Sequence, residues 1–401
     1  MFATPKALHR LPAGVTSDRH AGLLQPLERE RSAFFARPRT QVVQDWDELA
    51  RLEPEWNELL LESRADTIFL SWEWMRAWLE ASGSRRRALS IVVRDARGRL
   101  AGVAPFYLEP YCLLGIVPYR VLRIAGDHPT GGEYGDWLLR PDMEFTAAEA
   151  IAKTLAAHEG WDALWMPQVS GWSGARESIE AACSAAGLHC RARPASFGHF
   201  TLPDSFETYE RNLSDNRRKQ IRTQRRKVLR DGVSITRCGT QDELPRYLQA
   251  LFDLHGRRRR TLGDPGTFVA RPEEAEFYRR FAPQALANGW LWLSALEEGG
   301  VIRAIQLGYQ YRGAYHQLQE GFDPDFTPGA GNVLRHEVIR QCIASGLGDY
   351  DFLGGYTEHK RRWMAEERQG YDLWIGRAGI LNSALFSAPL WPTGRFLHPA
   401  D

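Results

Sequence analysis

Four stretches of this sequence carry residue types whose spacing can do chemistry. In 346–363, Gly-Leu-Gly-Asp-Tyr-Asp-Phe-Leu-Gly-Gly-Tyr-Thr-Glu-His-Lys-Arg-Arg-Trp, an apolar run at 350–353 ends on two glycines and is followed by Tyr356, Glu358, His359 and Lys360. The run reads as a short buried strand, and loops after strand ends are where α/β proteins place reactive groups. A phenol there can protonate a leaving group, an imidazole or carboxylate can act as base, and Lys360 can neutralise a phosphate or carboxylate as a point charge. The alternative is a solvated helix start made of Glu358, Lys360, Arg361 and Arg362, anchored by Trp363. Asp351, inside the apolar run, is expected to bond a backbone group or an Arg.

The second stretch is Thr327-Pro328-Gly329-Ala330-Gly331-Asn332-Val333-Leu334, between an expected strand and an expected helix. Glycines at such a junction let backbone N–H groups turn toward an anion at the helix N-terminus, where unpaired donors and the dipole favour a pyrophosphate. The competing reading is a tight turn with Asn332 as N-cap and no ligand. Third, Glu320 and His316 lie on one face of the expected strand 315–321 because alternate residues share a face, with Gln317 and Gln319 on the other. A general base sits well on that face, unless it simply meets solvent. Fourth, Arg217, Arg218, Lys219, Arg222, Arg225, Arg226, Lys227 and Arg230 crowd one helix in which only Leu213, Ile221, Val228 and Leu229 can face a core. Its basic circumference suits an anionic polymer, a nucleic acid or acidic lipid heads, or else is an Arg-rich solvated face. Arg257 to Arg260 would join it in one groove if the two lie side by side.

The elements that must hold these residues follow from periodicity. A strand at 40–43, helices at about 46–60 and 69–78, and a hairpin at 89–106 turning at Asp95-Ala96-Arg97-Gly98 open the chain. Strands at 119–124, 136–139 and 163–166 and helices at about 144–158 and 176–186 follow, and 197–202 closes a first α/β unit. A second unit repeats that order: a basic helix at 206–231, a strand at 233–238, helices at 242–255 and 272–288, and a hairpin at 290–311 turning at Glu297-Glu298-Gly299-Gly300. The strand 315–321, the glycine loop, a helix at 332–344 and strands at 350–353 and 371–376 complete it. The expected divisions are a mobile extension at 1–39, domains at 40–205 and 206–376, and a tail at 377–401.

With 401 residues the chain exceeds one ordinary core, and 43% hydrophobic with 25% charged residues is a soluble globular balance. A net charge of +1 excludes a globally basic nucleic-acid binder, so any polyanion site must be local. Five scattered cysteines without a C-x-x-C pair, no signal-peptide core and no membrane-length apolar run point to a reduced, cytoplasmic protein. His336-Glu337 is not H-E-x-x-H, since Arg340 stands at the second position, and no metal is expected. No G-x-S-x-G elbow is present, so acyl-enzyme chemistry is unsupported.

Two units with this element order resemble the GNAT acyltransferase fold, and more specifically the tandem-GNAT proteins grouped with the cellulose-biosynthesis protein CelD and the FemAB-type peptidyl transferases. The residues that carry the resemblance are Phe69-x-Ser71-Trp72-Glu73-Trp74 and Glu133-Tyr134-Gly135-Asp136 in the first half. In the second they are Asn216-Arg217-Arg218-Lys219-x-x-Arg222, the 260–268 segment, Pro328-Gly329 to Leu334, and Asp351-Phe352-Leu353-x-Gly355-x-x-x-x-Lys360-x-x-Trp363. Family members tend to carry Tyr before the Lys that matches Lys360; here that residue is His359.

The resemblance implies an α/β (α+β) fold of two tandem GNAT-like domains, with mixed central sheets flanked by helices. It also implies an acyltransferase with acyl-CoA, such as acetyl-CoA, as donor. Gly329, Ala330, Gly331 and Asn332 would hold the coenzyme A pyrophosphate. Glu320, Tyr356, His359 and Lys360 are the catalytic candidates, and His316, Arg217, Arg218 and Arg222 the substrate-binding ones. The acceptor would be an amine or hydroxyl, in a small molecule, a polysaccharide or a cell-envelope precursor. Two rivals stand beside this: an aminoacyl-tRNA donor as in the FemAB type, with the Arg helix holding the tRNA, and a non-catalytic module that binds an anionic polymer.

Overall fold

The computed structural model describes residues 38–388 and 397–399, apart from 128–129, 231 and 262. The extension expected over 1–39 falls outside the described residues except for Pro38 and Arg39.

In the second half three antiparallel strands, Leu291–Glu298, Val301–Tyr311 and Ala314–Phe322, follow one another in sequence and in space. Their first turn is Gly299-Gly300, with φ of 54° and 82°, and two positive-φ residues are what a two-residue hairpin needs to match right-handed strand twist. From Ala314–Phe322 the chain runs through the helix Ala330–Ala344 into Asp349–Gly354, which lies parallel to it, the crossover that parallel strands require. The two strands pair only at Ala314/Asp349, Tyr315/Tyr350 and His316/Asp351. Beyond those pairs no ladder joins them, and a gap opens between 317–322 and 352–354.

The first half follows the same plan. Phe106–Leu113 and Val117–Ile124 form a hairpin, and the helix Glu144–Ala157 leads to Ala163–Ser170, parallel to Val117–Ile124. Pro105 separates Leu100–Ala104 from Phe106–Leu113, and the chain changes sheets there: the former belongs to a four-stranded sheet, the latter to a twelve-stranded one.

The large sheet is continuous because the halves exchange strands. His189–Thr201, from the end of the first half, lies between Asp349–Gly354 and Glu366–Gly376. Glu366–Gly376, near the end of the second half, pairs on its other edge with Ala163–Ser170 of the first. The apolar core is shared too. Ser71 caps the helix Trp72–Ala81 by accepting from the Trp74 N–H at 3.2 Å, which aims Trp74 at the second half, 4.6 Å and 4.8 Å from the Phe277 and Phe281 rings.

Three expected helices differ from what their periodicity implied, and the one at about 46–60 is two, Trp46–Ala50 and Glu53–Glu62. The 69–78 helix begins only at Trp72, after a single turn at Ile68–Leu70. The basic helix expected over 206–231 breaks at the buried Leu213 into Phe206–Asn212 and Asp215–Val228, because Ser205 and Ser214 each cap a new N-terminus.

Candidate functional site

The gap between the parallel strands is lined by two adjoining cavities. The first, about 420 Å³, lies against the glycine loop and the start of the helix Ala330–Ala344. The second, about 340 Å³, reaches across to the first half, where Gly131 and Glu133 line it. Arg258, Glu320, Arg335 and His359 belong to both walls.

Gly329, at φ 97°, is the residue before that helix, and no side chain caps the helix start. The expected N-cap, Asn332, does something else: its side-chain amide donates to Gln224 at 3.2 Å and its oxygen accepts from Arg217 at 3.4 Å, tying the basic helix to the loop. A Cβ on Gly329 would meet the Gln224 side chain at 2.5 Å, so glycine is required there by both φ and space. At Gly331 a Cβ would touch only Phe322, at 3.5 Å. The loop therefore presents an uncapped helix N-terminus to a cavity, the arrangement that favours an anion.

The cavity walls are cationic. Arg335, 3% exposed, donates to Glu320 and also to His359 Nε2, the latter at 2.6 Å, and Arg258 donates to Glu320 at 2.8 Å. Burial alone would raise the Glu320 carboxyl, but Arg335, Arg258 and His359 outweigh it and bring it down to about 2. Arg217, 7% exposed, stacks on the Trp363 ring at 4.0 Å, donates to Gln220 at 2.8 Å and to Asn332, and has no carboxylate partner among the described residues. Burial, then the neighbouring Arg335, lowers it to about 10, so it stays charged. His359 is lowered to about 4 by burial and by Arg335. A guanidinium has only donors, so His359 Nε2 is the acceptor and its remaining proton sits on Nδ1.

Several sequence expectations are corrected here. Glu320 and His316 do not share a face. The ladder pairs Leu307 with Gln319 but Gly308 with Gln317, leaving Leu318 as a bulge, and the extra residue turns His316 to the opposite side. His316 lines a different cavity, its Nδ1 3.6 Å from Asp351. Tyr356 lines neither cavity, and its hydroxyl donates to the Ala365 carbonyl at 3.2 Å. Lys360 does face the second cavity, but its ammonium donates to the carbonyls of Phe352, Leu353 and Gly354 at 2.8, 3.0 and 2.6 Å, which occupies all three of its donors. It clamps the strand end where Leu353 holds a φ of 61°.

The basic residues do not form one surface either. Arg217 turns inward, Arg218 is spent on Asp215 and the Glu210 and Arg211 carbonyls, and Arg222 is exposed. Arg257 to Arg260 end the helix Leu244–Arg260 and point in different directions. Arg257 pairs with Asp323 and Asp325, Arg258 with Glu320 and Arg259 with Asp264.

What periodicity could not assemble is the far wall of the second cavity. Glu133 is half-buried and accepts from the Gly354 N–H at 2.6 Å. Burial first, then the Asp351 charge, pushes its carboxyl up to about 8, against the opposing pull of the Gly354 N–H and Lys360. His255, 7% exposed, also lines this cavity, and its Nδ1 has no hydrogen-bond partner among the described residues. The signal for Glu133 was only its place in the Glu133-Tyr134-Gly135-Asp136 motif. For Arg335 and His255 there was none.

Residues 215–361 match the acetyltransferase (GNAT) domain. This span contains the glycine loop, the bulged strand, Arg258, Arg335 and His359. The chain as a whole has the fold of the crystal structure of FemX, with a TM-score of 0.58 at 11% identity over 87% of this chain and 98% of that one. A conserved protein of unknown function from Bacteroides thetaiotaomicron aligns with a TM-score of 0.50 at 10% identity, over 81% of this chain and 97% of that one. A tandem GNAT protein from the clavulanic acid biosynthesis pathway aligns over 86% and 99% of the two chains at 14% identity, with a TM-score of 0.46. No curated protein matches the sequence. The fold is therefore the one seen in FemX, here two α/β units of one plan with mixed sheets flanked by helices, and the second unit contains the span that matches the acetyltransferase (GNAT) domain. Among the described residues no helix is long and apolar enough to cross a membrane, and no group of His, Cys, Asp or Glu is arranged to hold a metal ion.

Proposed function

We propose that this protein transfers an acyl group from acyl-CoA to an amine or hydroxyl, and that the two adjoining cavities are its donor and acceptor chambers. The observation that carries this reading is how they adjoin across Arg258, Glu320, Arg335 and His359: an uncapped helix N-terminus faces the donor side, and the near-neutral Glu133 carboxyl faces the other. The pyrophosphate meets the N–H groups of 330–332, and the thioester reaches the gap between the parallel strands. Leu318, unpaired in the ladder at the bulge and part of the acceptor chamber, offers an N–H to polarise the carbonyl.

Glu133 takes the proton of the attacking acceptor, a role that a carboxyl poised near neutral pH suits and one held at about 2, like Glu320, does not. Attack is direct: the acceptor N–C or O–C bond forms as the C–S bond breaks. His359 Nδ1–H remains as a donor for the departing thiolate. A polysaccharide or cell-envelope precursor is the acceptor class that the resemblance of the sequence motifs to the CelD-like and FemAB-type proteins implies.

The second reading, an aminoacyl-tRNA donor, is favoured by one feature. Lys219, Arg222 and Arg226 share a stripe of the basic helix, are exposed, and have no carboxylate partner among the described residues, while that helix is tied to the glycine loop through Gln224 and Asn332.

Calorimetry with acetyl-CoA and a long-chain acyl-CoA tests the first reading. Saturable binding is expected, weakened at least about tenfold by Gly331→Trp, which fills the donor cavity without demanding a positive φ. No saturable heat with either thioester, together with salt-sensitive tRNA binding lost in Arg222→Ala, would replace it with the second.

A further inference from the structure

We propose that a third cavity, on the far side of the Asp351 strand from the transfer chamber, is a binding site for a primary ammonium group carried by a small amine or basic amino acid. It measures about 180 Å³ and is walled by both halves of the chain. It takes His316, the side chain that the bulge turns away from Glu320. The proposal does not rest on the transferase reading.

Charge selects the ligand. The two arginines at this cavity are already balanced, Arg312 by Asp66 and Arg368 by Asp349. Asp136 is not, and Asp351 has beside it only the His316 imidazole, 3.6 Å away, which against burial helps hold its carboxyl below the ordinary value. Asp136, 2% exposed, accepts only from the Trp137 and Ala175 backbone N–H groups, at 2.7 and 2.8 Å. Asp351, 3% exposed, accepts from the Tyr134 hydroxyl and the Leu353 N–H, both at 2.7 Å. Neither makes an ion pair with an Arg or Lys among the described residues. A carboxylate taken out of water without a countercharge is costly, and a bound cation removes that cost. Burial accordingly pushes the Asp136 carboxyl up to about 7.

Hydrogen bonding narrows the choice to an ammonium. Thr67, 9% exposed, precedes the turn Ile68–Leu70 yet does not cap it, and its hydroxyl has no partner among the described residues. His316 Nδ1 faces the Asp351 carboxylate at 3.6 Å and makes no hydrogen bond among the described residues. A primary ammonium has three donors and no acceptor, which matches the Asp136 and Asp351 carboxylates and the Thr67 hydroxyl around one small space. An anion would meet two carboxylates and no free cation. Trp172, 39% exposed, lines the mouth of this cavity with the Arg368 guanidinium stacked 4.3 Å from its ring, so the alkyl part meets the exposed part of the indole.

Titration calorimetry of the full-length protein at neutral pH with putrescine and L-lysine, with tetramethylammonium and acetate as controls, is the test. Saturable heat is expected for the two amines and none for the controls. Thr67→Val should weaken amine binding about tenfold, the worth of one hydrogen bond to a charged group. It should leave the unliganded melting temperature unchanged or higher, because it deletes an unpaired buried hydroxyl. Should Thr67→Val fail to fold, Trp172→Ala at the partly exposed wall gives the same reading. No saturable heat with either amine overturns the site, and so does amine binding that Thr67→Val and Trp172→Ala leave intact. Gly331→Trp should not change amine binding, whatever it does to acyl-CoA, so the two proposals stand or fall separately.

Discussion

Glu320 and Glu133 face the same chamber from opposite halves, and their surroundings drive them apart. Both lose water. Glu320 then gains two guanidiniums and falls to about 2, whereas burial and the charge of another carboxylate, Asp351, outweigh Lys360 at Glu133, and it rises to about 8. A carboxylate held ionised at every physiological pH is a fixed anion that orients Arg258 and Arg335. One that changes charge near neutrality can carry a proton. Two like side chains in one cavity thus receive separate work from their neighbours alone.

The largest expected effect tests that division directly. Glu133→Gln should lower kcat for acyl transfer by roughly a hundred- to ten-thousand-fold, the usual worth of a general base. The wild-type rate should climb with pH and level off above about 8, since the base works only when ionised. The comparison breaks if Glu133→Gln keeps the wild-type rate, or if Glu320→Gln is the variant that removes the pH limb.

A smaller effect concerns the fixed anion. Arg335→Met leaves Glu320 without its buried partner and should cost about 3 kcal/mol, at the low end for a broken buried pair because Glu320 keeps some exposure. Adding Glu320→Gln should restore most of it. Urea denaturation of the two single variants and the double variant reads the coupling, and additive losses would mean that the pair is not the unit described.

The smallest effect is on stability. Burial raises the folded-state value of Glu133, so the folded protein holds this proton more tightly than the unfolded chain. Its contribution is complete below the ordinary carboxylate range and is lost as pH rises through about 8. Melting temperature should therefore fall less steeply over that window in Glu133→Gln than in the wild type. Equal slopes would place the raised value elsewhere.

Much of this molecule can be read from its sequence because local rules decide it. The Gly299-Gly300 turn, the glycine loop and the apolar run 350–353 are punctuated by residues whose backbone freedom or burial leaves little choice, and each lies where expected. The rest fails for physical reasons. Period-two reasoning put His316 beside Glu320, and one unpaired residue at Leu318 reverses that. Lys360 reads as a free cation, yet it sits within reach of three carbonyls at its own strand end. Glu133 meets Gly354 across 221 positions of chain, a contact that no local pattern encodes.

The exchanged strands bear on how the chain must be made. Edge positions in each half's sheet are filled only by the other half, by His189–Thr201 in one direction and Glu366–Gly376 in the other. A ribosome that has released the first half has therefore released a structure with an open edge at Ala163–Ser170, and that edge waits for Glu366–Gly376, far downstream in the chain. Cutting between 205 and 206 would yield two fragments, each with an unfilled place in its sheet. Co-expressed, they should assemble into one soluble complex. Made separately, each should be prone to aggregate, so the halves work as each other's chaperone as well as two walls of one chamber.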